Sequence, residues 1–280
     1  MDIFSTLLLQ PLASGLILFY KILGQNMGLA IIGFSLFLRF ILNPLTKPYM
    51  DSMKKMKDIA PEIAKLKNKH KDDKIKFAQA QADFYKERGV NPGAGCLPYL
   101  LQIVVLIAFF NVFTKTLSPD VDPTSEFNKL LYSPLQFSQE EKINTKFLYL
   151  DITTPDCFGP GKCVTDPFKL PFAIPGPILI LSALVQFLSA KVMIPLTKVE
   201  EKIAKKTKGQ EDDMQVAMQK SMSYMFPVFT LIIGLQFASG LAIYWFIFSL
   251  AQIYQQVKSQ GWGEIEPLLA KLKTVNKHSV

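Results

Sequence analysis

The sequence contains no charged residue between Lys220 and Lys258. One helix of that length would measure roughly 55 Å at 1.5 Å per residue, well beyond the ~30 Å hydrocarbon core of a bilayer. The Ser239-Gly240 pair divides this run nearly in half. We therefore expect two short membrane-spanning helices joined by a tight turn, at residues 221–238 and 240–257.

Three earlier apolar blocks also have the length of a membrane span, at residues 26–46, 95–116 and 172–191. The apolar residues, 49% of the chain, are gathered into blocks rather than spread periodically. This distribution predicts an all-α polytopic membrane protein with five transmembrane helices.

Lysine placement sets the expected orientation. Residues 46–95 carry twelve Lys or Arg against seven acids, 191–220 seven against five, and 258–280 four against two. Residues 118–171 instead carry five Lys and eight acids. With five spans the three basic segments share the cytoplasmic side, so the N-terminus lies outside and the C-terminus inside. The expected connections are a cytoplasmic hairpin (47–94), an extracytoplasmic loop (117–171), a cytoplasmic loop (192–220) and a tail (258–280).

The first 25 residues are apolar but interrupted by Pro11, Ser14 and Gly15. They also lack the positive region and cleavage site of a signal peptide. A sixth span would place the N-terminus inside without a positive charge to hold it there. We therefore expect an interfacial helix on the outer face.

The segment 47–94 is charged and strongly helical, with a break expected at 68–73. Two interpretations of this hairpin stay open, and they are compatible. One is a solvated lysine-rich hairpin near anionic headgroups. The other is a docking surface on which the flexible side chains of Met50, Met53 and Met56 meet varied apolar partners.

Arg39 lies inside the first span, in a run otherwise without charge. A guanidinium keeps its proton, and its placement in a spanning helix costs about 2.5–3.5 kcal/mol on insertion scales. An intramembrane charge therefore suggests a functional site. The alternative is that Arg39 snorkels to the cytoplasmic headgroups.

Polar residues also occur in the later spans, among them Gln102 and Gln186. Single residues of this kind usually form hydrogen bonds between helices, each of which stabilises the protein by about 0.6 kcal/mol. Because no intramembrane Asp or Glu is available to pair with Arg39, the set favours a hydrated groove over an ion-paired core. Tyr244 and Trp245 fall within the last span rather than at its ends, and packing is their commoner role.

Most catalytic chemistry is not supported by the sequence. His70 and His278 both lie in polar segments, and no phosphate-binding loop motif occurs. We therefore expect no enzyme activity, no metal and no small-molecule cofactor. Positive-inside bias already accounts for the basic residues, so nucleic-acid recognition is not expected.

Four motifs in register resemble the YidC/Oxa family of membrane-protein insertases. They are Asn26-Met-Gly-Leu-Ala-Ile-Ile with Arg39 and Pro44-Leu45; Met53-Lys-Lys-Met56 with Pro61-Glu62; Tyr85-Lys-Glu-Arg-Gly-Val-Asn-Pro92 with Gly95-Cys-Leu-Pro98 and Gln102; and Ser239-Gly-Leu-Ala-Ile-Tyr-Trp245 with Gln255-Gln256. Residues 118–171 and the tail are covered least well.

The resemblance implies a five-helix core around a hydrated groove that is open to the cytoplasm and the lipid. It implies that Arg39 is the groove arginine, with Gln186 and Trp245 as further groove residues. With Gln102 and Tyr244 these three residues make up the predicted substrate groove. Val104 departs from the family pattern, which often has proline there. The other departure is a long outer loop, in which Cys157 and Cys163 can form a local disulfide.

The resemblance also implies the partners: nascent membrane-protein substrates and the lipid bilayer. Because the first residues lack the Arg-rich pattern of an organelle transit peptide, we expect the plasma membrane of a bacterium. Participation of a Sec translocon or of the ribosome stays open. The rival from another class is a small solute or anion transporter or channel that uses Arg39 as its anion site.

Overall fold

The structure is a computed structural model of the 280-residue chain. It describes residues 3–70, 73–90, 97–118, 120–138, 140–160, 163, 172–193, 221 and 224–266. The chain forms two compact units. The first comprises Met1–Ile41, Gln102–Leu188 and Met225–Gln252; the second comprises Leu42–Leu101, Ser189–Tyr224 and Ile253–Val280.

The described residues are mostly helical, as expected for an all-α membrane protein. The helices are α1 (Gln10–Ile22), α2 (Met27–Lys69), α3 (Lys74–Glu87), α4 (Leu97–Thr116), α5 (Pro123–Asn128), α6 (Pro177–Met193), α7 (Tyr224–Gly234) and α8 (Ser239–Gln260). One π turn, Ser5–Leu9, precedes α1, and two 3-10 turns occupy Ser133–Leu135 and Gly263–Ile265.

Length and composition alone identify two of these helical segments as able to cross a membrane, Ser5–Ile22 and Met27–Pro44. Shorter apolar helical segments are Ile103–Thr116, Pro177–Val192 and Tyr224–Gly234. Buried core helices of soluble proteins can have the same length and composition. The five-span arrangement therefore stays a prediction at this point.

The α4–α6 connection, which we define as residues 117–160 and 172–176, contains the only strands among the described residues. Strand β1 (Lys146–Phe147) pairs antiparallel with β2 (Leu150–Asp151), and β3 (Cys157–Phe158) with β4 (Ile174–Pro175). A disulfide joins Cys157 to Cys163.

The helix predicted to begin at residue 172 begins instead at Pro177. The preceding residues Ile174–Pro175 are extended because they pair with β3. Asp156 then caps the helix: its carboxylate accepts a hydrogen bond from the Leu179 backbone N–H at 2.7 Å. Such a cap satisfies an N–H group that has no partner within the helix.

Tyr149 completes this cap. Its hydroxyl donates to Asp156 at 3.0 Å and accepts from the Ile178 backbone N–H at 3.2 Å. A Cβ atom at Gly176 would overlap the Asp156 carboxylate, so only glycine permits this close approach. Burial raises the pKa of Asp156 and that of the Tyr149 hydroxyl, because it disfavours the charged form of each.

The turn expected at Ser239-Gly240 lies slightly earlier, at 235–238, and these two residues begin α8. The reason is a second set of bonds to the connection. Ser239 N–H donates to Thr154 O at 2.8 Å, and Gly240 N–H donates to Ile152 O at 3.2 Å. The α4–α6 connection therefore binds the first residues of both α6 and α8.

The connection also holds α1. The Ser14 hydroxyl accepts from the Tyr132 backbone N–H at 3.2 Å, and the Tyr20 hydroxyl accepts from Asn144 N–H at 2.9 Å. The Lys21 ammonium lies 4.9 Å from the centre of the Phe137 ring. These contacts place α1 and the connection in one packed unit.

In the second unit, α2 ends at Lys69 and α3 begins at Lys74, which brackets the predicted hairpin break. Asp73 caps α3 by accepting a hydrogen bond from Lys76 N–H at 3.0 Å. Arg88 forms an ion pair with Glu62, joining the two helices.

Candidate functional site

Arg39 lies on α2, twelve residues after Met27, which is roughly 18 Å along the helix. Its side chain is partly buried. The guanidinium carbon lies 4.7 Å from the centre of the Phe248 ring of α8. This is the geometry of a cation–π contact, which strengthens as water is removed.

Stacked aromatic rings form the wall next to this contact. Tyr244 is 1% exposed, and its ring centre lies 4.4 Å from that of Phe109 on α4, with the planes nearly parallel. Tyr244 also contacts Phe248, with the two ring centres 5.8 Å apart. We call Arg39, Phe109, Tyr244 and Phe248 the Arg39 cluster.

The Arg39 Nε atom is buried and has no hydrogen-bond acceptor among the described residues. A guanidinium has five N–H donors and cannot lose its charge. A buried charged donor left unpaired is costly, which implies that water or a bound polar group satisfies it. The structure thus leaves one N–H of a permanently positive group without an acceptor among the described residues.

Gln186, another predicted groove residue, lies on α6 and is hydrogen-bonded to a residue of α7. Its side-chain oxygen accepts from the Thr230 hydroxyl of α7 at 2.6 Å. One turn earlier on α6, the Ser182 hydroxyl donates to Ala242 O of α8 at 2.8 Å. These bonds join α6 to its two neighbours.

The remaining predicted residues divide into two groups. Trp245 is described and is 8% exposed, next to Tyr244 on α8. The side chains of Gln102, Met50, Met53 and Met56 lie outside the described residues, although their backbones belong to α4 and α2. For these four the expected roles stay predictions.

Sequence reasoning missed Phe248. A usable signal existed, because Phe248 follows Tyr244 by four positions and such residues share one face of a helix. Thr230 is recognisable from the sequence as a polar residue within a span, but its pairing with Gln186 is not, because neither position nor spacing identifies that partner. Among the described residues no group of three or more His, Cys, Asp or Glu could hold a metal ion.

Comparison with known proteins assigns the family. Residues 18–262 match the family described as 60Kd inner membrane protein. A relative from Fusobacterium nucleatum, named Membrane protein insertase YidC, is 30% identical over 231 residues, which are 82% of this chain and 84% of the relative. The chain belongs to the YidC/Oxa family.

Other YidC proteins are longer than this chain. The relative from Pelobacter propionicus is 33% identical over 252 residues, which are 90% of this chain and 38% of the relative. The one from Pelagibacter ubique is 44% identical over 132 residues, which are 42% of this chain and 24% of the relative. The chain therefore spans most of the Fusobacterium YidC but well under half of these two.

Proposed function

We propose that this protein is an insertase that takes nascent hydrophobic segments into a hydrated groove around Arg39 and releases them laterally into the bilayer. No nucleotide hydrolysis or cofactor takes part. The observation that carries this proposal is the buried Nε donor of Arg39, which has no acceptor among the described residues, on a permanently charged guanidinium that lies over the Phe248 ring of α8. The names of the YidC relatives support the same activity.

The proposed topology has five spans in the plasma membrane of a bacterium, with the N-terminus outside and the C-terminus in the cytoplasm. Arg39 then lies roughly 18 Å from the outer end of α2, deeper than the middle of a ~30 Å core. Arg39 is therefore nearer to the cytoplasmic surface than to the outer surface, and water reaches it over a shorter distance from the cytoplasm.

In this topology α1 lies on the outer surface rather than crossing the membrane. Its contacts support that position. Gly15 and Phe19 of α1, and Leu23 just after its end, lie on successive turns, yet all three meet the same stretch of α2, residues 33–37. Helices that run side by side would instead meet at successive turns.

The proposed insertion begins when a substrate enters the groove from the cytoplasm, after touching the methionines of the 47–94 hairpin. Arg39 then holds the short polar or acidic tail by charge-assisted hydrogen bonds. The apolar part moves sideways into lipid, which is favourable by about 25 cal/mol for each Å² of apolar surface removed from water. The groove lowers the barrier because it shortens the low-dielectric path of the tail.

Proteoliposomes containing the purified protein test this proposal directly. We expect them to insert a small single-span substrate with an acidic tail, without nucleotide, and to show no saturable flux of small anions. Empty liposomes are the control for spontaneous insertion. Anion flux without insertion would favour a transporter instead, and absence of both would favour a scaffold without insertase activity.

A further inference from the structure

The tip of the β1–β2 hairpin presents an exposed leucine in an unusual backbone conformation. Leu148 has φ +54° and is 78% exposed. It occupies the first position of the two-residue turn between Phe147 and Leu150, which pair with each other. Turns of this kind favour Gly, Asn or Asp at a position with positive φ. Folding alone would therefore select a different residue at 148.

The distribution of polar and apolar residues along this hairpin is also the reverse of a water-facing turn. The charged residues Lys146 and Asp151 pair at its base. Its tip is Phe147-Leu148-Tyr149, and Tyr149 is 43% exposed. An apolar tip on a charged base suits a boundary between water and a less polar phase.

Two contacts fix the level of this tip relative to the helices. The Phe147 ring lies where a Cβ atom of Gly28 would be, one residue into α2. The Tyr149 hydroxyl accepts from the N–H of Ile178, one residue into α6. The tip therefore lies beside the first turns of two helices.

The exposed apolar surface of both helices begins at this level. On α2 the exposed apolar residues are Leu29, Leu36, Phe37, Phe40 and Ile41. On α6 they are Ile180, Leu181, Leu184 and Leu188. The tip is thus continuous with the two faces that the five-span topology places against lipid.

We propose that the β1–β2 tip is a lipid anchor in which Leu148 enters the outer leaflet and Tyr149 lies at headgroup level. This inference rests on the proposed five-span topology. Aromatic rings are enriched at headgroup level, and the Tyr149 ring is held there because its hydroxyl bonds to Asp156 and to Ile178 N–H. The anchor would hold the α4–α6 connection, and with it the first turns of α6 and α8, at a fixed depth.

Spin labelling in proteoliposomes tests the anchor. A nitroxide is attached at Leu148→Cys in a Cys96→Ser background, and its collisions with oxygen and with a water-soluble nickel chelate are compared. Leu184→Cys replaces an exposed leucine of α6 and is the control for a label in lipid. Lys142→Cys replaces an exposed lysine of the α4–α6 connection and is the control for a label in water. We expect oxygen to relax the labels at 148 and 184 more than nickel does, and the order to reverse at 142.

Three results would overturn the anchor. If the label at 184 meets oxygen while the label at 148 meets nickel, the anchor is wrong and the insertase topology stands. If 148 is shielded from both reagents, the tip contacts protein rather than lipid. If the label at 184 itself meets nickel, the topology fails and the anchor with it.

A second variant serves if the new cysteine disturbs the Cys157–Cys163 disulfide. In Leu148→Trp, brominated lipids should quench tryptophan fluorescence more than they do in the parent protein. Equal quenching in the two proteins refutes the anchor.

Discussion

The α4–α6 connection and the Arg39 cluster belong to the same compact unit but satisfy their polar groups very differently. In the connection, the buried carboxylate of Asp156 accepts from Leu179 N–H and from the Tyr149 hydroxyl. In the cluster, the Arg39 guanidinium lies over the Phe248 ring, and its Nε donor has no acceptor among the described residues.

This difference suggests a different role for each region. A region whose buried polar groups are paired is rigid and excludes water, because each bond lost would leave an unsatisfied group. A region that leaves one donor of a charged group without an acceptor needs water or a ligand to satisfy it. We infer that the connection closes one end of the helices, whereas the cluster keeps a place for a passing chain.

The largest expected effect is on insertion, from Arg39→Ala. Placing an acid in the membrane costs about 2.5–3.5 kcal/mol, and each 1.4 kcal/mol corresponds to a factor of about ten. Insertion of an acidic-tail substrate into proteoliposomes should therefore fall by about sixtyfold to about 300-fold. Arg39→Lys keeps the charge and should retain most activity. Full activity in both variants would remove the electrostatic role of Arg39.

The next largest effect is on folding, from Gly176→Ala. The added methyl group would overlap the Asp156 carboxylate and displace the cap of α6. Overpacking of this kind costs about 1–3 kcal/mol, which thermal unfolding in detergent will measure. Gly240→Ala is the matched control, because its methyl group meets chiefly the flexible end of Ile31. Equal stability of the two variants would mean that the cap is not rigid.

Asp156→Asn separates charge from shape in the connection. Burial raises the pKa of Asp156 above its ordinary value of 3.8, so the folded state binds a proton that the unfolded state releases. Its contribution to stability is therefore greatest below pH 3.8 and falls as pH rises to the raised pKa. We expect the variant to gain stability relative to the parent as pH rises from acidic to neutral. A difference that does not change with pH would contradict the burial of this carboxylate.

The smallest effect is expected from Thr230→Val, which removes the hydrogen bond to Gln186. Bonds of this kind between membrane helices average about 0.6 kcal/mol. If water reaches Gln186, it replaces the lost partner and the loss stays at or below that value. A loss well above about 1.7 kcal/mol, the upper end for such bonds, would indicate a dry helix interface at this point. Ser182→Ala, which removes the bond to Ala242 O, is a comparison at a fully buried site.

Helices were the part of the fold most accessible from sequence, because length, apolar character and helix breaks are local properties. The break between α2 and α3 falls where the polar segment 68–73 indicates it. Arg39 could be selected for the same reason, since a lone charge in an apolar run needs no partner to be noticed.

Long-range pairing was the part that sequence could not supply. The start of α6 depends on the pairing of Ile174–Pro175 with β3, and the start of α8 depends on bonds to Ile152 and Thr154. The Asp156–Tyr149 cap is of the same type: two residues of an irregular loop become partners only after the chain has folded. Phe248 could have been inferred from helical spacing, but its contact with Arg39 needs the packing of α8 against α2.

The central claim is that Arg39 acts on substrates through its charge, and a charge exchange tests it most directly. Two single-span substrates that differ only in an acidic or a basic tail are inserted by the parent protein and by Arg39→Glu, with a neutral-tail substrate as the control for folding. We predict that the parent protein prefers the acidic tail and that Arg39→Glu loses or reverses this preference while inserting the neutral one. An unchanged preference in the variant would contradict the account.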